Sequence, residues 1–157
     1  MEEINVEEGN TTYDSRDNCN AIIETGTNTL VCGCRNTIIP SSVTAIESYA
    51  FSGCSSLTSI NIPNNVTSLG KSIFADCSAL EEIIVEEGNT TYDSRDNCNA
   101  IIETGTNTLV YGCKSTVIPK SVTCIGESAF YGCNNLTSIV IPSSVTTIGI
   151  GAFSFCI

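Results

Sequence analysis

The apolar positions of this chain fall into short stretches with two kinds of spacing. In Leu57-x-x-Ile60-x-Ile62 they alternate, which is the period of a half-buried strand. Pro63 follows and stops the ladder, because proline has no N–H to donate. A second apolar stretch runs from Val66 to Leu69. Beyond it, a turn of helix or 3₁₀ around Ile73-Phe74 is predicted to carry a large aromatic inward. The frame then recurs. Val43, Ile46, Phe51, Cys54, Leu57 and Ile60 return 23 residues later as Val66, Leu69, Phe74, Cys77, Leu80 and Ile83. They return again as Val122, Ile125, Phe130, Cys133, Leu136 and Ile139, then as Val145, Ile148, Phe153 and Cys156. A single such unit cannot bury its own apolar face. Stacking the units, with strands at about 4.8 Å, joins those faces into one core.

A longer period encloses the short one. Residues 2–31 return at 81–110 with one difference, Asn5 against Ile84, so the long offset is 79 residues. It consists of two 23-residue steps and one of 33, the latter from Val6 to Ile39 and from Val85 to Ile118. The pattern predicts a solenoid over 1–157 built of two units, 1–79 and 80–157, with strand columns beginning near residues 4, 37, 60, 83, 116 and 139. The ten extra residues of the 33-residue step read as a β-hairpin protruding from the stack. Asn99–Glu103 and Thr108–Gly112 would flank Thr104-Gly105-Thr106-Asn107. With Gly105-Thr106 at the tip, Ile102 faces Leu109, Ala100 faces Tyr111 and Cys98 faces Cys113. That face is the more apolar one and should lie against the stack. For Cys98/Cys113 and their copies Cys19/Cys34, both a cross-strand disulfide and buried free thiols fit the register.

The motif IPSSVTAIESYAFSGCSSLTSINIP, together with VEEGNTTYDSRDNCNAIIETGTNTLVYGC, resembles the repeats of BspA-like leucine-rich-repeat proteins, particularly members from gut Bacteroidales. The resemblance covers essentially the whole chain. It implies a mostly-β leucine-rich-repeat solenoid with short parallel strands and short helical or 3₁₀ turns. It also implies an adhesin-like or protein-binding role on a secreted or cell-surface protein. No catalytic residue and no cofactor come with it.

Composition narrows the functional classes. Six Lys and Arg stand against 17 Asp and Glu, for a formal charge of −11. Such a chain repels nucleic-acid phosphates and anionic membranes, and no apolar run reaches the length of a membrane span. Met1-Glu2-Glu3 is acidic where a signal peptide would be basic. No histidine is present to act as a base near neutral pH, and the ten cysteines include no C-x-x-C pair of the kind that holds zinc. Cys54, Cys77, Cys133 and Cys156 share one repeat position and read as a buried column of small apolar side chains. Glu86, Glu87, Asn89, Asp93, Asp96 and Asn97 cluster in sequence but lack the spacing that wraps a calcium ion. The expectation is therefore a non-enzyme without metal: either a surface that binds a host or extracellular protein, or a stalk that spaces another module.

Strand alternation turns one residue of each column outward. The outward set is Asn5, Ile38, Asn61, Ile84, Val117 and Val140, flanked by Glu81 and Glu82 and by their copies Glu2 and Glu3. Four of the six are apolar and β-branched. They form a candidate binding stripe whose acidic flank favours a basic partner. Neither end of the chain carries a polar capping repeat, so the sequence reads as a piece of a longer array and predicts end-to-end self-association.

Overall fold

A computed structural model describes all of residues 1–157. It contains twelve short strands and no α-helix. In the first unit these are β1 (Tyr13–Asp14), β2 (Ala21–Glu24), β3 (Thr29–Gly33), β4 (Ala45–Ile46), β5 (Ser59–Ile62) and β6 (Ser68–Leu69). In the second unit they are β7 (Glu82–Val85), β8 (Tyr92–Asp93), β9 (Ala100–Glu103), β10 (Thr108–Gly112), β11 (Cys124–Ile125) and β12 (Thr147–Ile148). β1, β2, β3, β4 and β6 form one sheet, and β8 to β12 form its copy. β5 pairs with β7 across the two units.

The hairpin does not protrude. β2 and β3 run antiparallel, and β3 then pairs in parallel with β4, and β4 with β6. The hairpin's return strand is thus the first rung of a lateral ladder. The reason lies in its side chains: Leu30 pairs with Ile46 and Ile46 with Leu69, so the hairpin supplies the same inward aliphatic position as the short stretches after it. At the hairpin tip the left-handed backbone position is Asn107 (φ 52°) and its copy Asn28 (φ 54°), not the glycine. Asparagine tolerates that conformation better than most residues.

The register of the hairpin corrects the predicted cysteine pairs. Thr108 faces Glu103 and Leu109 faces Ile102, but a bulge at Val110 then places Tyr111 opposite Ile101 and Gly112 opposite Ala100. The first copy shifts at the equivalent place. Ala100 therefore does not face Tyr111, nor Cys98 face Cys113. Cys113 donates its thiol to the Asn99 carbonyl at 3.3 Å, and Cys98 packs in a different core cluster. All ten cysteines are free. The bulge has a packing consequence. It sets Gly112 against the Phe130 ring and Gly33 against Phe51, where a Cβ would come within 2.2 Å of ring carbon Cε1 in each case.

Of the six predicted strand columns, those at 60 and 83 form strands, whereas those near 4, 37, 116 and 139 do not. Ile38 and Val117 donate their amides to the Cys19 and Cys98 carbonyls at the base of the hairpin, so the columns at 37 and 116 are drawn away from the strand that follows. The predicted helical turn at Ile73-Phe74 is likewise a run of tight turns. The amides of Tyr49, Phe51 and Gly53 point along the stack and donate to Lys71, Ile73 and Ala75 at 3.0, 3.0 and 2.8 Å, while the alternate amides of Ala50, Ser52 and Cys54 close turns on the residue three positions back, so the segment bonds to the next repeat and to itself by turns. Single 3₁₀ turns occur elsewhere, at Arg16–Asn18 and Arg95–Asn97 in the polar lead-in to each hairpin.

The backbone bonds consequently change sides along the stack. Within a unit, the lateral ladder and the turn segments are bonded, and the strand side is open between 37–39 and 59–62. At the join between units, the strand side is bonded through β5 and β7, and the lateral ladder is interrupted between β6 and β8. Side chains close the interruption. Tyr111 donates its hydroxyl to the Gly70 carbonyl and meets Phe74 edge-on at 5.8 Å, while the Asn89 amide donates to Pro63 and Val66 at 3.1 and 2.8 Å. The four repeat phenylalanines are therefore two pairs and not one column: Phe51–Phe74 at 5.8 Å and Phe130–Phe153 at 5.1 Å, with Tyr111 standing between them.

Candidate functional site

The outward stripe lies where alternation places it. In β5 and β7, Ile60, Ile62, Ile83 and Val85 are buried, while Asn61 and Ile84 point out and sit opposite each other across the ladder. Ile38, Val117 and Val140 are also exposed, from 83% for Val140 down to 40% for Ile84. Asn5 is exposed as well.

The open strand side of each unit makes a groove beside the stripe. In the first unit, Ile38, Asn61 and Ile84 line a groove of about 340 Å³ together with Glu82 and Glu86. In the second, Val117 and Val140 line one of about 530 Å³, floored by Ile118, Ile139 and Pro142 and edged by Lys120. Three stripe residues and the flanking Glu82 thus come together in one groove and two stripe residues in the other, and Asn5 stands apart. The two grooves are related by the long repeat but differ in charge, acidic in the first and basic in the second. The grooves themselves, Glu86 and Lys120 were not anticipated. They follow from the opening of the strand ladder, which a strand periodicity does not reveal.

The acidic flank is partly occupied. Glu81 pairs with Lys114 at 2.8 Å and Glu2 with Arg35 at 2.5 Å, while Glu82 and Glu3 remain exposed. In the hairpin lead-in, Arg95 donates to Asp93 through Nε and Nη2, at 2.8 and 2.5 Å, and through Nη1 to the Asn107 side-chain oxygen at 2.9 Å. Burial works to raise the Asp93 carboxyl, but the hydrogen bonds and charge of Arg95 outweigh it and hold the group below its ordinary value. For Asp14, the hydrogen bond from Arg16 dominates in the same direction. These carboxylates staple the turn at the hairpin's foot, and no group of three or more acidic or thiol side chains is arranged around a metal-sized space.

Of the column Cys54, Cys77, Cys133 and Cys156, only Cys77 is buried and the other three are partly covered. Cys77 and Cys156 donate to the Phe51 and Phe130 carbonyls at 3.1 Å, one repeat back along the stack. Desolvation pushes the Cys77 and Cys133 thiols up to about 12 and Cys98 to about 11, far from the thiolate that a nucleophile or metal ligand needs.

Comparison with known proteins decides the family. The model of the BspA-type leucine-rich-repeat region matches residues 28–101 and 106–157 in six copies. The chain belongs to the BspA-type leucine-rich-repeat family. Among solved structures, this BspA-type chain is similar to a leucine-rich cell surface protein of Faecalibacterium prausnitzii A2-165, at 38% identity and a TM-score of 0.58 over 73% of this chain and 31% of that one. A leucine-rich-repeat protein of Eubacterium ventriosum matches at 24% identity and TM-score 0.56 over 72% of this chain and 37% of that one. The pneumococcal vaccine antigen PcpA matches at 20% and 0.54 over 75% and 36%. The last two likenesses concern the fold. The chain spans about a third of the length of these solved relatives. Nothing among the curated proteins matches it. No helix is long and apolar enough to cross a membrane.

Proposed function

We propose that this BspA-type chain is a non-catalytic protein-binding surface of a secreted or cell-surface protein, and that its contact face is the outward stripe with its two grooves. The observation that carries the reading is the exposure of Ile38, Ile84, Val117 and Val140 on the rim of grooves left open by the strand ladder. β-Branched side chains standing in water gain by covering each other or a partner, and a groove with unpaired strand edges accepts an extended segment. The partner class is a host or extracellular protein with basic character toward Glu82 and Glu86 and apolar character toward Val117 and Val140. The name of the Faecalibacterium relative supports the cell-surface location. The absence of histidine and the high thiol pKa values support a role without catalysis.

A pull-down from extracellular-matrix and serum proteins tests this, using the wild type beside an Ile84→Asn/Val140→Asn variant of equal thermal stability. Selective loss of a partner from the variant is the expected result. Equal recovery by both removes the stripe as the site. Recovery of nothing by either favours the second reading, a spacer whose repeated outer face serves only to extend the chain.

A further inference from the structure

The turn segments leave a small pocket at the join between units. Within a unit, the Tyr49, Phe51 and Gly53 amides donate to the next turn, and those of Ser128, Phe130 and Gly132 donate to Ile150, Ala152 and Ser154. Ser72, Phe74 and Asp76 hold the same repeat positions at the join, and their amides donate to no backbone carbonyl. The cause is the hairpin of β9 and β10. It replaces the turn segment in the 33-residue step, so the turn face loses one rung between 70–77 and 126–133. The Tyr111 side chain reaches in from β10 and fills part of the gap. What is left is a hollow of about 160 Å³ lined by Tyr49, Lys71, Ser72, Tyr111, Glu127 and Ser128. It shares no residue with the outward stripe or its grooves.

Tyr49 breaks the repeat here. Its copies are Ser72, Ser128 and Gly151, and all four have positive φ, 62° at Tyr49 against 48°, 56° and 65°. Small residues and glycine suit that left-handed position, whereas a bulky side chain is strained in it. The core gains little in return, since Tyr49 is 59% exposed. A strained residue that the core does not need points to a function. The rest of the lining is polar and under-used. Lys71 and Glu127 face each other at 3.6 Å, with both side chains mostly in water. Ser72 is only 9% exposed, yet its hydroxyl has no partner within the chain, and neither has that of Ser128.

We propose that this pocket binds one neutral pyranose ring, the terminal residue of a glycan. The charges select the class. Lys71 and Glu127 balance, so a charged ligand would meet one opposite and one like charge. An alcohol both gives and accepts hydrogen bonds. A ring of alcohols can therefore bridge the ammonium, the carboxylate and the two serine hydroxyls without introducing a charge. Tyr49 supplies a flat apolar face for the C–H side of the ring and keeps its own hydroxyl in water. The hollow is smaller than pockets that take drug-sized ligands and fits a single ring with its substituents. Tyr49, Lys71 and Glu127 are exposed at its rim. One edge of the bound ring thus stays in water, and the anomeric oxygen leads out to the rest of the glycan.

Amide chemical-shift mapping by nuclear magnetic resonance tests this. The probes are glucose, galactose and mannose with their methyl α- and β-glycosides, beside acetate and ethylammonium as charged controls. At least one methyl glycoside is expected to shift the amides of Lys71, Ser72 and Ser128 saturably and to leave those of Ile84 and Val117 in place. Tyr49→Ser, which sets the residue of two of the copies at this position, should abolish the shifts while melting no lower than the wild type, and Tyr49→Phe should keep them. Failure of every sugar and glycoside to shift the pocket amides overturns the proposal. Shifts that survive Tyr49→Ser, or that acetate or ethylammonium produces equally, overturn it as well. A free sugar that binds where its methyl glycosides do not places the anomeric oxygen inside the pocket and overturns the glycan as its source. Should Tyr49→Ser melt lower, the Lys71→Ala/Glu127→Ala variant, altered only at exposed side chains, is read the same way.

Discussion

Residues 2–31 and 81–110 are almost one sequence in two surroundings. Both copies make the same hairpin, the same bulge, and the same 3₁₀ turn with its left-handed aspartate, φ 59° at Asp17 and 60° at Asp96. Their burial differs. Ile83, Val85, Tyr92 and Ile101 are buried in the second copy, whereas Ile4, Val6, Tyr13 and Ile22 are only partly covered or exposed in the first. The conformation of this segment is therefore encoded locally, by its turn residues and its arginine staple. Its contribution to stability comes from the preceding repeat that it packs against. The same holds in reverse for residues 57–77 and 136–156, where the earlier copy is covered by a following unit and the later one is not.

Truncations matched between copies break this comparison most directly. Phe74→Ala removes a ring packed between Phe51 and Tyr111 and is expected to cost about 3–5 kcal/mol, read from denaturant melts. Phe153→Ala, stacked on Phe130 but open on its other side, should cost clearly less. Equal losses would show that the cover supplied by the following unit contributes nothing. Gly112→Ala drives a methyl into the Phe130 ring and is expected to cost about 1–3 kcal/mol. Gly33→Ala against Phe51 should cost the same, because this contact lies within a unit and does not depend on the neighbour.

Smaller effects sharpen the picture at the join. Tyr111→Phe deletes the hydroxyl that reaches Gly70 and should cost about 0.5–1.5 kcal/mol. Alkaline pH probes the thiols. The folded state holds Cys77 and Cys133 protonated up to about 12, above the ordinary thiol value of 9.0. Between those values the unfolded chain has lost protons that the folded one keeps, so stability falls as pH rises above about 9. Serine at both positions should flatten that slope in melts taken from pH 8 to 11.

The repeat arithmetic made most of this architecture legible: the mostly-β stack, the buried isoleucine frame, the hairpin and the outward stripe. It misplaced what depends on where backbone amides go. Ile38 and Val117 sit in a strand-like pattern yet donate to the hairpin base, and that choice opens the grooves. The cysteine register failed by one residue, because Val110 looks like any other strand valine and nothing in its neighbours announces a bulge.

The changing side of the backbone ladder also sets how the stack responds to force. Bonds between repeats run along the stack, so tension on the ends loads them in series. Within a unit two sides resist, the lateral ladder and the turn segments. Between units the backbone resists on the strand side alone, and side chains hold the rest, those of Tyr111 and Asn89 together with Asn135 on the Ser78 carbonyl and Lys71 on Glu127. A pulled chain should therefore part first at the boundary near residue 80, releasing intact blocks of one long repeat. Each parting would extend the molecule in a discrete step and bare the core residues that the join covers, among them Ile62, Phe74, Ile83 and Tyr92.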